Sequence, residues 1–139
     1  MGFYSSYKAV LDAVVTAVDG KSSIGTVVLG EQFTVGALPK AVINALPSPV
    51  LQASLDGVLE VHVAFSVILV ILEYEPNDWF ADIVTVMGDA VDAVLADVTL
   101  GGKALNVYPT LFSPGEIKFK DKVYYGGQVN FEAVLLYDP

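Results

Sequence analysis

"VLEVHVAFSVILVILEY", Val58 to Tyr74, is the stretch on which the fold turns. Its odd positions, Leu59, Val61, Val63, Phe65, Val67, Leu69 and Ile71, are all apolar. Its even positions begin with Glu60, His62, Ala64 and Ser66 and become apolar at Ile68, Val70 and Leu72. A period of two in a Val/Ile-rich run is that of a strand lying on a core. The loss of the polar half after Ser66 marks an end covered on both faces. Unbroken, such a strand reaches roughly 50 Å at about 3.3 Å per residue, so a bend or a projecting end is expected. Its most hydrophobic part, Val63 to Leu72, is about half the ~20 residues that a membrane-crossing helix needs.

Upstream, Tyr4, Tyr7, Leu11, Val14, Val15 and Val18 recur at the spacing of an amphipathic helix, and Asp19-Gly20 is a stop signal. "SIGTVVLGE" is β-rich. In "PKAVINALP", Pro39 and Pro47 confine a strand to Lys40 through Leu46, because proline cannot donate to a ladder. Asp56-Gly57 is a turn signal leading into the long strand. Beyond that strand the period becomes helical. Asn77 is a cap candidate, Asp78 falls in the first turn, and Phe80, Ile83, Val84, Met87, Val91, Val94 and Leu95 trace one stripe ending near Ala96.

Leu100-Gly101-Gly102 then breaks the helix, with at least one glycine expected at positive φ, and Ala104 to Phe112 reads as extended. A turn is expected at Ser113-Pro114-Gly115. A hairpin is expected over "EIKFKDKVYYGGQVNFEAVLLY", with Gly126, Gly127 and Gln128 as its loop. That register sets Lys122 opposite Glu132, Val123 opposite Phe131 and Phe119 opposite Leu135, and avoids the like-charge pair of Asp121 with Glu132. The whole order predicts one α+β domain over 1–139: a mostly antiparallel sheet with two helices packed on one face, plus a C-terminal β-hairpin.

Composition narrows the function classes. The chain has no Cys, which removes disulfides, thiolate metal sites and cysteine nucleophiles. All seven basic residues are Lys, against sixteen acidic residues, for a net charge of −9. Without Arg the bidentate reader of phosphate and guanine is missing, so sequence-specific nucleic-acid binding is not expected. The N-terminal "MGFYSSYKAV" lacks a basic region followed by an apolar run, and no signal peptide is expected. Neither glycine pair belongs to a phosphate-binding motif.

Few residues offer chemistry. His62 is the single histidine, on the semi-polar face of the long strand with no Ser or Cys motif nearby, and is read as structural. Asp78, Asp82, Asp89 and Asp92 share a helix face. One straight helix presents carboxylates in a line rather than around an ion, so the face is solvated or an intermolecular charge surface. No catalytic residue, metal site or cofactor is expected. Charge segregation says more: nine acidic residues and no Lys or Arg lie between Lys40 and Lys103, while Lys118, Lys120 and Lys122 recur at period two. These lysines either protect an edge strand or meet the acidic helix of a neighbouring copy.

The helix closing on "DAVLADVTLGGKALNVYP", the hydrophobic strand before it and the aromatic-glycine segment "YYGGQVNFEAVLLY" after it together resemble the tail-terminator and tail-completion proteins of long-tailed bacteriophages and related viruses. The likeness covers most of the chain in order. Its one local motif is Leu-Gly-Gly after the helix, and the chain departs from the family in lacking Arg and in its long hydrophobic strand. The resemblance implies a structural virion protein, not an enzyme, made in the host cytoplasm. It implies a hexameric ring at the head-proximal end of the tail tube, in contact with tail-tube and neck or connector proteins, with DNA passing through the lumen unbound and no membrane partner. An acidic, Arg-free chain suits such a conduit. Alternatives are a neck, head-completion or tail-tube subunit, and, from another class, a small binding domain or an unrecognised enzyme with a deep polar pocket.

Overall fold

The computed structural model describes residues 2–30, 38–54, 56–72, 79–119 and 122–139. Two helices, α1 (Phe3–Asp19) and α2 (Trp79–Leu95), pack on one face of a sheet made of β1 (Thr26–Leu29), β2 (Lys40–Ala45), β3 (Val50–Gln52), β4 (Leu59–Leu72), β5 (Asn106–Phe119) and β6 (Lys122–Tyr137). The strand order is β1-β2-β4-β6-β5, with β3 beside the start of β4. Only β1 with β2 is parallel among the described pairs. The architecture is the α+β plan expected, with β5 and β6 paired as a hairpin.

β4 carries the core. Val61, Val63, Phe65, Val67 and Leu69 are wholly buried on the helix side, and their β6 partners on the same face include Val129, Phe131 and Ala133, also buried. Phe65 stacks on Phe131 at 5.3 Å between ring centroids, an offset aromatic pair across two central strands. On the outer face Glu60, His62 and Ala64 are half-buried, whereas Ser66 and Val70 are buried, as the change of pattern at Ser66 requires. A register irregularity between Val70 and Leu72 bends the far end. Along its other edge β4 is served by β2 and then β3. Between these two strands Pro47 and Pro49 lack N–H groups, and the Ser48 hydroxyl accepts the Ala64 N–H at 3.0 Å while donating to the Leu46 carbonyl at 2.9 Å.

The helices follow their apolar stripes. α1 buries Val10, Leu11, Val14 and Val18 and ends before Gly20, as expected. α2 buries Ile83, Met87, Ala90 and Val94, with Val84, Val91 and Leu95 half-buried. Phe80, expected on the same stripe, is instead 57% exposed in the first turn. The Asn77 cap lies outside the described residues.

The C-terminal half corrects three expectations. Ser113-Pro114-Gly115 is not a turn but the middle of β5, paired with Gln128, Gly127 and Gly126. Gly126 and Gly127 are not a hairpin loop but interior residues of β6. The chain reverses between Phe119 and Lys122, so Lys122 pairs with Phe119, Val123 with Lys118, and Glu132 with Tyr108 and Ala64. The glycines are needed for close approach rather than for reversal. A Cβ at Gly126 would lie 1.8 Å from the Leu69 carbonyl oxygen, and one at Gly127 would lie 2.6 Å from the Met87 sulfur and 2.5 Å from the Ser113 oxygen. α2 thus rests directly on the backbone of β6. β5 is an edge strand, which is why it tolerates Pro109 and Pro114 and a bulge between Pro109 and Leu111.

Gly127→Ala is therefore expected to destabilise the fold by about 1–3 kcal/mol through overpacking under Met87. The Met87→Ala, Gly127→Ala double variant should be less destabilised than the sum of its two single changes, because the side-chain part of the clash is gone while the Ser113 oxygen still opposes the new Cβ. Denaturant midpoints of the two single variants and the double check this; a loop at this position would tolerate the alanine unchanged.

Candidate functional site

After α2 the chain makes a compact left-handed turn. Leu100, Gly101 and Gly102 have φ of 51°, 67° and 84°, so both glycines, and the leucine before them, occupy the left-handed region. Asp97 organises this turn. Its Oδ1 accepts the Thr99 N–H at 3.0 Å and the Thr99 hydroxyl at 2.7 Å, and its Oδ2 accepts the Gly101 N–H at 3.0 Å. The Thr99 hydroxyl oxygen accepts the Gly102 N–H at 3.3 Å. The Thr99 hydroxyl first, then the Gly101 and Thr99 amides, hold the Asp97 carboxyl below the usual carboxylate range. The strain of a non-glycine residue at Leu100, about 1–2 kcal/mol, is offset by burial of its side chain. Leu105 N–H then bonds the Val134 carbonyl at 2.7 Å and returns the chain to the sheet.

This turn closes one side of a cleft of about 550 Å³ between the helices, floored by Ala13, Ala17, Ala93 and Ala96, with Lys21 and Lys103 among its lining residues. Its walls are almost wholly apolar, and among the described lining residues no nucleophile is set against a base.

The other concentration of polar groups lies on the opposite face of the sheet. His62 sits between two carboxylates: its Nε2 is 2.7 Å from Glu60 Oε2, and its Nδ1 bonds Glu132 Oε1. Tyr108 donates its hydroxyl to the same Glu132 oxygen at 3.0 Å. With an acceptor at each ring nitrogen, both must carry hydrogen, which is the imidazolium form. Hydrogen bonds donated to Glu60 and then to Glu132 accordingly hold the His62 pKa above its ordinary value. The cluster ties β4, β5 and β6 together. The two carboxylates flank the ring rather than converge, and no group of His, Cys, Asp and Glu suited to a metal occurs among the described residues. Glu60 and His62 share a face at period two and were readable as a pair. Glu132 and Tyr108 were missed because the expected hairpin register sent Glu132 to Lys122.

The other expected site residues separate. Asp82 and Asp92 are exposed on α2, whereas Asp89 is half-buried and accepts the Ser23 hydroxyl at 2.8 Å, linking α2 to the segment after α1. Asp78 and Lys120 lie outside the described residues, as does the side chain of Lys122. Lys118 is exposed on β5, but Lys122 begins β6, so the three lysines do not form a row on one strand. Lys118 pairs with Val123 and Lys122 with Phe119. No described helix is long and apolar enough to cross a membrane. No protein-family model matches the sequence, and no curated protein matches it.

Two outcomes test these arrangements. Because the folded-state pKa of His62 is raised, its contribution to stability is complete below the unfolded value of about 6.5 and is lost as pH rises through the higher folded value. The stability difference between the wild type and His62→Gln should therefore be largest near pH 6 and shrink at alkaline pH in parallel denaturant titrations. In the helix exit, replacing Gly101 and Gly102 together by Ala should cost more than about 1 kcal/mol, read as a lowered thermal midpoint.

Proposed function

We propose that this chain is a structural virion protein of the tail-terminator or tail-completion class, a subunit that closes into a hexameric ring where the tail tube meets the neck. The observation that carries the reading is the subunit plan. Two helices pack on one face of a mostly antiparallel sheet, and the second leaves through the Asp97–Gly102 turn into a long C-terminal hairpin. Of this plan, the resemblance of "DAVLADVTLGGKALNVYP" and its flanking strands implies the N-terminal helix and this second helix against one sheet.

Surface chemistry supports it. Leu105 just before β5, Leu111 and Phe112 on β5, Val123 and Leu136 on β6, and Val50 and Leu51 on β3 are exposed, a spread of apolar contact area that association would cover. A net charge of −9 without Arg suits a ring that lets DNA pass and does not retain it. The left-handed turn and the bulged, proline-bearing edge are backbone devices that shape a subunit rather than a reaction centre.

Purified protein is expected to form closed rings of uniform size by light scattering and negative-stain microscopy, and to cap the ends of tail tubes. Open-ended tubes would instead favour a tail-tube subunit. A monomer at every concentration, with and without tubes, would remove the ring reading.

A further inference from the structure

The cleft between α1 and α2 leaves its polar lining groups in two different states. Thr16 donates its hydroxyl to the Asp12 carbonyl at 3.1 Å, and the Asp97 carboxylate is taken up by the Thr99 hydroxyl and the Thr99 and Gly101 amides. The side chains of Lys21 and Lys103 make no hydrogen bond or ion pair among the described residues, in a chain with sixteen acidic residues against seven lysines. Lys21 is half-buried and Lys103 exposed. A lysine that lines an apolar wall lays its stem along that wall and keeps its ammonium at the mouth. The cleft is thus an apolar hollow with two uncompensated positive charges at its edge.

We infer that this cleft binds an aliphatic carboxylate, its hydrocarbon tail on the alanine floor and its head group at Lys21 and Lys103. The site stands apart from the ring reading and does not need it. Its volume of about 550 Å³ lies within the roughly 300–1,000 Å³ of small-molecule clefts. The walls select the tail. The helical backbone bonds to itself, and Thr16 and Asp97 are already satisfied, so an extended peptide or a nucleobase would bring donors and acceptors that find no partner there. A hydrocarbon brings none, and it meets Ala93, Val94 and Leu100, all buried in the floor. The charges select the head. Two of the seven lysines gather here although the chain has a net charge of −9, and Asp97 opposes an incoming anion only weakly because its oxygens are turned into the Thr99 and Gly101 donors. A singly charged carboxylate suits two separate ammonium groups and needs no guanidinium fork.

Isothermal titration of the whole chain with sodium decanoate, below the concentration at which it forms micelles, should show saturable binding that weakens with added salt. Decanol, with the same tail and no charge, should bind at least about tenfold more weakly, and acetate, the head group alone, should not bind. Lys21→Glu with Lys103→Glu should weaken decanoate at least about tenfold and leave decanol unchanged. Ala17→Phe should fill the cleft and weaken both, with denaturant midpoints checking that each variant folds. In the wild type, where folding is not in question, decanoate should shift the NMR methyl signals of Ala13, Ala17, Ala93 and Ala96. No saturable binding, or decanoate held as tightly by the lysine-reversed protein with those methyl signals unmoved, would overturn the site. Decanoate binding that is lost whenever the protein self-associates would overturn it in favour of a neighbouring copy as the occupant. Capture by anionic phospholipid vesicles without binding of free decanoate would overturn it in favour of a membrane surface.

Discussion

The pairing of β4 with β6 is the constraint from which the other elements take their positions. Twelve residues of β4, from Leu59 to Val70, run in unbroken antiparallel register against β6, and every helix-facing side chain from Val61 to Leu69 is fully buried. A slip of one residue would turn one strand over relative to the other, sending Phe65 or Phe131 outward and His62 or Glu132 into the core, at a severe cost for a small domain. The register is thus held from both faces. The stacked phenylalanines hold it on one side, and the carboxylate–imidazolium–carboxylate bridge holds it on the other.

From that pair the rest is positioned by contact. Gly126 and Gly127 leave the β6 backbone bare where the Leu69 carbonyl and Met87 approach it, so α2 sits closer to the sheet than a side chain would allow. α2 then determines where its own end falls, and the Asp97 turn carries the chain from there to the β5 edge. α1 covers the remaining part of the same face through Val10, Val14 and Val18, and the Ser23–Asp89 bond joins the two helical segments. The acidic surface of α2 is therefore only partly free for other contacts, because Asp89 serves the fold.

Much of this was legible in the residues, because hydrophobic period survives translation into structure. The long strand, both helices, the Pro-bounded strand at Lys40 and the left-handed glycines after α2 all follow from local pattern. The hairpin was misread for a physical reason. Glycine has two uses in a sheet, reversal and close approach, and sequence cannot distinguish them when the atoms that approach come from Leu69 and Met87, far along the chain. The strands β5 and β6 pair up to Phe119 and Lys122, and no glycine near these residues announces that pairing. That one error moved Glu132 away from His62 and placed three lysines on one face. The exposure of Phe80 was equally hidden, since periodicity specifies the face of a helix but not where along it the covering sheet stops.

The position of β6 in the chain has a consequence for how the protein is made. The strand that completes β4 comes last of the described elements, so Leu59 waits for Tyr137 and Phe65 for Phe131. During synthesis the run from Val63 to Leu72 emerges long before its partner, as an apolar β-prone segment with one long edge open. Folding cannot proceed stepwise from the N-terminus. It must await a late, sequence-distant closure, and topologies of this kind fold slowly. Glu60 and His62 before the run, and Glu73 and Glu75 after it, are charged or ionisable residues at its flanks, placed where they discourage nascent chains from pairing with one another.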